Sequence, residues 1–371
     1  MSPRVPFIDL SRLVRRFRDP VLADWTQILD RTEFVGGPTV KRLEERLGQV
    51  LGAANVVSCA NGTDALIIGL QAFGLPRGAK VALPNLTFWA TYEAIAQLGL
   101  IPVLVDVDAD DGQLSYEAFV AAHDQHRFGA AILPHLFGWA THRLADFRKL
   151  CEERDIKLLE DGAQCFGVNV GGAPVLAGAR VATLSFYPAK VVGGAMDGGA
   201  ILTRTAEDAQ LVRTLCNHGR ATHYSYSHVG WNSRMGGLQA AFILRVLDEL
   251  PWILETRRAA MARYEVRAAG VGARFMGPPK GIEGNGYLSV FQVTGDRGEA
   301  LVKALGEAGI GAARTYPETM DAQPCTTEAI RFGDLARSRA FCRNVVNLPM
   351  FAGIEASECD QAMDAFAALL R

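Results

Sequence analysis

The sequence predicts an α/β fold: a large domain with a mainly parallel sheet covered on both faces, followed by a smaller C-terminal α/β domain. Three observations carry this. Short apolar runs of strand length alternate with longer amphipathic runs through the first two thirds of the chain, the succession that joins parallel strands through packed helices. The 371 residues are 49% hydrophobic, enough to bury a large core and more than one domain. A late helical pattern from Leu238 then meets Pro251, which lacks a backbone donor and interrupts or kinks a helix. The domain change is placed there, with 1–250 forming an N-terminal arm and the large domain and 251–371 forming the small one.

In chain order, a strand around Val56 runs into Ser58-Cys59-Ala60-Asn61-Gly62-Thr63, and a helix follows from Thr63 with Leu66, Ile67 and Leu70 as its apolar positions. The alternation continues with strand Lys80 to Leu83, helix Thr87 to Leu98, strand Pro102 to Val107 and helix Tyr116 to Ala122. Strand Ala130 to Leu133, helix Leu144 to Arg154 and strand Ile156 to Leu159 come next. Strands Val181 to Phe186 and Ala200 to Thr203 and helix Glu207 to Cys216 lead to the pattern at Leu238, which resumes beyond Pro251 towards Tyr264. The small domain reads as strand Tyr287 to Val293, helix Ala300 to Ala308, strand Ala313 to Tyr316 and a closing helix ending at Leu370. Thr222 to Trp231, rich in Tyr, Ser and His and without apolar rhythm, is a candidate binding loop.

Composition narrows the function classes. A net charge of −2 offers no basic field for nucleic acid. No stretch is long and apolar enough to span a bilayer. The seven cysteines are scattered, odd in number and free of any C-x-x-C spacing, which points to reduced thiols, a cytoplasmic protein and no metal site.

Three segments carry chemistry. Lys190 closes Ser185-Phe186-Tyr187-Pro188-Ala189-Lys190 at a strand end and precedes the glycine-rich Gly193 to Gly199. A lysine among small and apolar residues loses hydration, so its amine can attack a carbonyl; alone, it reads first as an ordinary surface loop lysine. Glu160-Asp161-Gly162-Ala163-Gln164 ends another strand, so a carboxylate and the lysine both fall where open α/β sheets place ligands. Asn61-Gly62-Thr63 opens a helix, where free N–H groups and the positive dipole end suit a phosphate, with Ser185 as a second hydroxyl donor. An amine, an acid and a phosphate cradle are what pyridoxal 5′-phosphate requires.

With those residues in place, the chain resembles the sugar aminotransferases of the DegT/DnrJ/StrS family, within the fold-type I pyridoxal phosphate enzymes. The resemblance runs from Pro6-Phe7-Ile8-Asp9-Leu10 to Leu348-Pro349-Met350 and includes Leu83 to Thr91, Pro134-His135-Leu136-Phe137-Gly138, Asn217-His218-Gly219-Arg220 and Gly230-Trp231-Asn232-Ser233-Arg234. It implies an aspartate aminotransferase-like large domain with a seven-stranded-type sheet. It also implies that Lys190 holds the cofactor as an aldimine and acts as base, that Asp161 pairs with the pyridinium nitrogen and that Gln164 bonds the phenolic oxygen. Phe88 and Ala163 would cover the two ring faces, and Gly62, Thr63 and Ser185 would hold the phosphate. Asn232 would reach the phosphate of a neighbouring subunit in a homodimer with shared active sites. Arg234, His218 and Tyr316 are taken as substrate contacts. From pattern alone Phe88 also reads as core, Arg234 as a structural ion-pair member and His135 as a satisfied structural histidine.

The implied reaction is transamination from glutamate, through pyridoxamine phosphate, to the ketone of a nucleotide-linked keto-sugar, as in the making of amino sugars for polysaccharides or antibiotics. The run Gly194 to Gly199 is closer to relatives that aminate a 3-keto carbon. Val191, Met196, Gly236-Gly237 and Glu318-Thr319-Met320 depart from the family pattern, and they bear on the acceptor more than on the chemistry. Amination of a keto-cyclitol, other pyridoxal phosphate sugar chemistry and a non-catalytic cofactor-binding regulator are the alternatives.

Overall fold

In the computed structural model, which describes residues 4–371, the central sheet has eight strands. Their order is Asn55–Cys59, Gly199–Thr203, Val181–Ser185, Lys157–Asp161, Ala130–Pro134, Lys80–Pro84, Ile101–Val105 and Ile330–Arg331. Seven of them are the strands expected from the sequence, and the two-residue Ile330–Arg331 adds an eighth at the edge beside Ile101–Val105. Neighbours pair in parallel except around Gly199–Thr203, which runs antiparallel to both Asn55–Cys59 and Val181–Ser185. The parallel strands therefore end along one edge, where register sets Pro134 beside Asp161 and Asp161 beside Thr183. Cys59, Gly199 and Ser185 meet in register on that same edge.

Successive strand residues point to opposite faces, and the core divides accordingly. Ala82, Val103, Val105, Ala131 and Leu133 pack on one side, against Leu43, Leu47, Phe119, Phe147 and Ile243 from the surrounding helices. Val81, Leu83, Leu104, Ala130 and Ile132 pack on the other, against Leu66, Ile68, Ile95 and Val212. Burial on both faces explains why these strands read as continuous apolar runs. A separate core of Tyr264, Phe291, Leu301, Leu305, Val346, Met363 and Phe366 holds the C-terminal elements together.

Several details depart from the sequence reading. Of the two outcomes expected at Pro251, interruption is the one found. Two helices, Gly237–Asp248 and Leu250–Ala268, meet at Glu249, and the proline lies in the first turn of the second, where an N–H would have no helical acceptor. The run Tyr287 to Val293 pairs only over Val290–Gln292, because the Asn285 side chain accepts from the Tyr287 N–H at 2.8 Å and turns the chain out of the ladder. Ala313 to Tyr316 is not a strand: it touches Asn347 in one isolated bridge, and the Asn347 side chain then takes the Thr315 N–H at 2.8 Å. The N-terminal region contains helices Ser11–Arg31 and Pro38–Leu51, fixed by buried Phe17, Val21, Ile28, Leu43 and Leu47. Thr222 to Trp231 overlaps a small hairpin of Arg220–Thr222 with Ser225–Tyr226 that leaves Tyr224 and Val229 exposed.

Candidate active site

A cavity of about 820 Å³ opens at the carboxyl ends of the parallel strands. Its floor includes the start of helix Gly62–Gln71. Asn61 caps that helix, its side chain accepting the Asp64 N–H at 2.8 Å and its carbonyl accepting the Ala65 N–H at 3.1 Å. The N–H groups of Gly62 and Thr63 precede these bonds and are left directed out of the helix end. A Cβ on residue 62 would lie 2.6 Å from the Ser185 Cβ, so the cradle closes only around glycine. Ser185 Oγ accepts from the Tyr187 N–H at 3.3 Å and keeps its own proton to donate. Ser233 ties the 231–234 loop to this corner, donating to Asp64 at 2.6 Å and accepting from Ala60 N–H at 3.1 Å.

Glu160 and Asp161 are adjacent, both buried, and in opposite electrostatic situations. Glu160, 1% exposed, takes two bonds of 2.8 Å from Arg148 and one of 3.0 Å from His135 Nε2. Burial alone would raise its pKa, but these partners outweigh it and hold the group below the usual carboxylate range. Asp161, 7% exposed, has only the Ala163 N–H at 3.0 Å and the Thr91 hydroxyl at 3.3 Å. Burial dominates there and pushes its carboxyl up, with the Ala163 N–H and the Lys190 charge pulling the other way. A buried carboxylate without an ion-paired cation gains affinity for a proton.

Lys190 is half-buried on the same cavity, its Nζ 5.1 Å from the centre of the Tyr287 ring. The loop after it is fastened from helix Gly237–Asp248. Gln239 Oε1 accepts from the N–H groups of Ala195 and Met196 at 3.0 and 3.2 Å, and Nε2 donates to the carbonyls of Met196 and Asp197 at 2.7 and 3.2 Å. A Cβ at Gly194 would sit 1.9 Å from Gln239 Nε2, so the clamp needs glycine there. The clamped loop brings Asp197 to the cavity wall.

Gln164 accepts the Phe137 N–H at 2.6 Å and donates to the Tyr316 hydroxyl at 2.5 Å. Phe88 caps helix Trp89–Gln97 and is 55% exposed, which removes it from the core; its ring lies 6.2 Å from that of Tyr316. Ala163 lines the cavity beside them.

Of the residues singled out from sequence, Gly62, Thr63, Phe88, Asp161, Ala163, Gln164, Ser185, Lys190 and Tyr316 thus share one cavity. Asn232, Arg234 and His218 do not line it and are exposed. Arg234 is no ion-pair member: its guanidinium bonds the amide oxygens of Asn232, at 3.1 and 2.6 Å, and of Asn217, at 3.3 Å, so its charge stays uncompensated. Sequence reasoning passed over Tyr287, Asp197 and Trp231. Asn285-Gly286 before Tyr287 was the available turn signal.

The strand order, the cradle and the amine-and-acid cavity define a protein of the aminotransferase class. The sequence profile of the DegT/DnrJ/EryC1/StrS aminotransferase family matches residues 18–367. The chain belongs to that family, as its sequence motifs suggested. It is 33% identical over 354 residues, 93% of this chain and 95% of the other, to the UDP-2-acetamido-2-deoxy-3-oxo-D-glucuronate aminotransferase of Pseudomonas aeruginosa. It is 31% identical over 352 residues, 94% of this chain and 93% of the other, to the UDP-N-acetyl-3-dehydro-alpha-D-glucosamine 3-aminotransferase of Acidithiobacillus ferrooxidans. The solved structure of S. venezuelae DesV in complex with a ketimine intermediate has a TM-score of 0.94 at 29% identity, covering 100% of this chain and 99% of that one.

Proposed function

We propose that this chain is a pyridoxal phosphate-dependent aminotransferase that moves an amino group from glutamate to the ketone of a nucleotide-linked keto-sugar, at a 3-keto carbon. The observation that carries the reading is Asp161, a buried acid with no ion-paired cation, on the same cavity as Lys190. The residues present fit the cofactor. The Gly62–Ser185 approach leaves room for a phosphate against the helix start, and the proton affinity of Asp161 suits a cationic ring nitrogen. The 3-keto preference is supported by the names of the Pseudomonas and Acidithiobacillus relatives.

Bound there, pyridoxal phosphate supplies an aldehyde that links to amines and a ring that accepts the electron pair leaving the donor's Cα. Gly62, Thr63 and Ser185 hold the phosphate. Asp161 would keep the ring nitrogen protonated, and Gln164 has a second amide hydrogen that would be free for the phenolic oxygen. Phe88 and Ala163 bound the ring faces. Lys190 Nζ would hold the aldehyde, and as a free amine it is the base that would take the proton from the donor's Cα. Tyr316 borders the acceptor side. The uncompensated guanidinium of Arg234, with Asn232 and His218, serves the site of a second copy in a homodimer. The part 251–371 acts as a smaller unit that lends Tyr287 and Tyr316 to the large one, and the protein works in the cytoplasm. All seven cysteines are free, which supports a reducing compartment, and no helix among the described residues is long and apolar enough to cross a membrane.

The test is to mix the cofactor-loaded protein with glutamate. Loss of the visible cofactor band with release of 2-oxoglutarate is expected, followed by amination of a 3-keto-sugar nucleotide by the resulting form. A band indifferent to every amino donor sinks the reading.

A further inference from the structure

The part 251–371 gives the cavity one wall, made of Tyr287, Thr315 and Tyr316, with neither a cation nor a carboxylate on it. The segment that brings Tyr287 there is held at several points. Asn285, wholly buried, donates to the carbonyls of Gln164 at 2.8 Å and Phe166 at 2.9 Å and accepts the Tyr287 N–H at 2.8 Å. Gly286 turns the chain at φ +66°, where a Cβ would lie 2.8 Å from the Arg257 carbonyl oxygen. Arg257, 4% exposed and in no ion pair among the described residues, donates to the carbonyls of Gly286 at 3.1 Å and Tyr287 at 3.4 Å. The backbone is thus fixed on both sides of the Tyr287 Cα, which sets the direction of its side chain. Lys190 Nζ lies over the Tyr287 ring, 5.1 Å from its centre. Tyr287 is half-buried on the cavity, and its hydroxyl has no hydrogen-bond partner among the described residues. Tyr316 beside it accepts from Gln164 at 2.5 Å and keeps its own proton, which burial, the Tyr287 phenol and Asp161 hold more tightly than usual.

We propose that Tyr287 is a specificity-determining residue that touches the acceptor sugar: its ring lies against the C–H groups beside the ketone, and its hydroxyl bonds the oxygen or nitrogen on a carbon next to that ketone. This rests on the aminotransferase reading above and names the part of the acceptor that the wall recognises. Carboxylates and phosphates bind most strongly to cations, and this wall has none. A sugar ring instead needs hydrogen-bond partners for its hydroxyls and an apolar face for its C–H groups, and a phenol supplies both. Lys190 is the group that returns a proton to the acceptor's reacting carbon, so that carbon must come up to Nζ. Because Nζ stands over the Tyr287 ring, the carbons flanking the ketone fall beside the same ring. Glutamate, with its two carboxylates, finds no counter-charge there. A site that hydrogen-bonds a substrate hydroxyl disfavours analogues that lack it, so the wall reads the sugar and not the nucleotide.

The experiment titrates cofactor-loaded wild type, Tyr287→Phe and Tyr287→Leu with UDP-N-acetylglucosamine and, separately, with UDP, by calorimetry. The first variant keeps the ring and removes the hydroxyl; the second removes both. Tyr287→Phe should bind the sugar nucleotide roughly 2- to 13-fold more weakly, the loss of one hydrogen bond. Tyr287→Leu should bind it more weakly still, and UDP should bind all three proteins alike. A Tyr287→Phe variant equal to wild type towards the sugar nucleotide overturns the proposal. So do equal losses for UDP and the sugar nucleotide, which mark a merely structural residue. A wild type that consumes glutamate but holds UDP-N-acetylglucosamine no better than UDP overturns this inference and leaves the cofactor chemistry standing. A wild type indifferent to glutamate overturns the proposed function itself, and this inference with it.

Discussion

Replacing Asp161 by Asn should move two observables in opposite directions. In the cofactor-free protein Asp161 is a buried carboxylate with two hydrogen bonds and no ion pair, and burial raises its pKa above the usual 3.8. Between the unfolded pKa and the raised folded one, the native state binds more protons than the unfolded state, so stability falls as pH rises through that window. Above that window the buried charge weakens the fold. Asn keeps the shape, can still accept from the Ala163 N–H, and carries no charge to desolvate. Thermal unfolding of cofactor-free Asp161→Asn at pH 7 should thus occur at higher temperature than wild type, with the gain disappearing in acid. Cofactor affinity should fall instead, because a charge-assisted bond of about 1.5–3 kcal/mol to the ring nitrogen is lost, roughly 10- to 150-fold in the dissociation constant. Differential scanning fluorimetry and equilibrium titration read the two effects. A variant no more stable than wild type without cofactor, yet binding it equally well, would refute the reasoning.

Three more outcomes follow from the geometry. Gly62→Ala places a Cβ 2.6 Å from that of Ser185, so pyridoxal phosphate and inorganic phosphate should both bind roughly 5- to 150-fold more weakly in titrations, by the overpacking penalty of about 1–3 kcal/mol. Gln239→Leu deletes the four hydrogen bonds that clamp Ala195 to Asp197; kcat/KM for the sugar acceptor should drop roughly tenfold or more in steady-state kinetics while cofactor affinity holds. Asp111 is buried, and desolvation pushes its carboxyl up to about 6, assisted by Asp108 and opposed by the Gln113 N–H and His142. Its folded pKa exceeds its unfolded one, so it destabilises the ionised protein; Asp111→Asn should raise the melting temperature at pH 7 and leave it unchanged near pH 4, measured by calorimetry.

What could be read early was whatever is written in a few consecutive residues. The Asn61-Gly62-Thr63 start is a capping signal followed at once by apolar helix positions, and it emerged as a capped helix one residue earlier than expected. The strand ends at Asp161 and Ser185 followed from apolar runs bounded by small and polar residues. Reading failed where a distant side chain competes with local pattern. Asn285 bends Tyr287 out of what looks like a strand, and Asn347 does the same at Thr315. Phe88 is aromatic in a helical run, and nothing local says that the helix starts one residue later and leaves its ring half in solvent.

The alternation of strands and helices, the glycine at the start of a helix and the lysine in the turn after a strand are properties of short segments, and the amino-acid order alone determined them. Glu160 and Asp161 show what it could not. They are neighbouring acids on one strand, both buried, but strand residues face opposite ways. One face met Arg148 and His135, brought in from a helix and from the next strand, and the other met an open cavity. Which carboxylate is ion-paired within the protein and which faces the cavity without a cation was decided only when those elements packed. Charge compensation depends on distance in space, and that distance is not encoded in either residue.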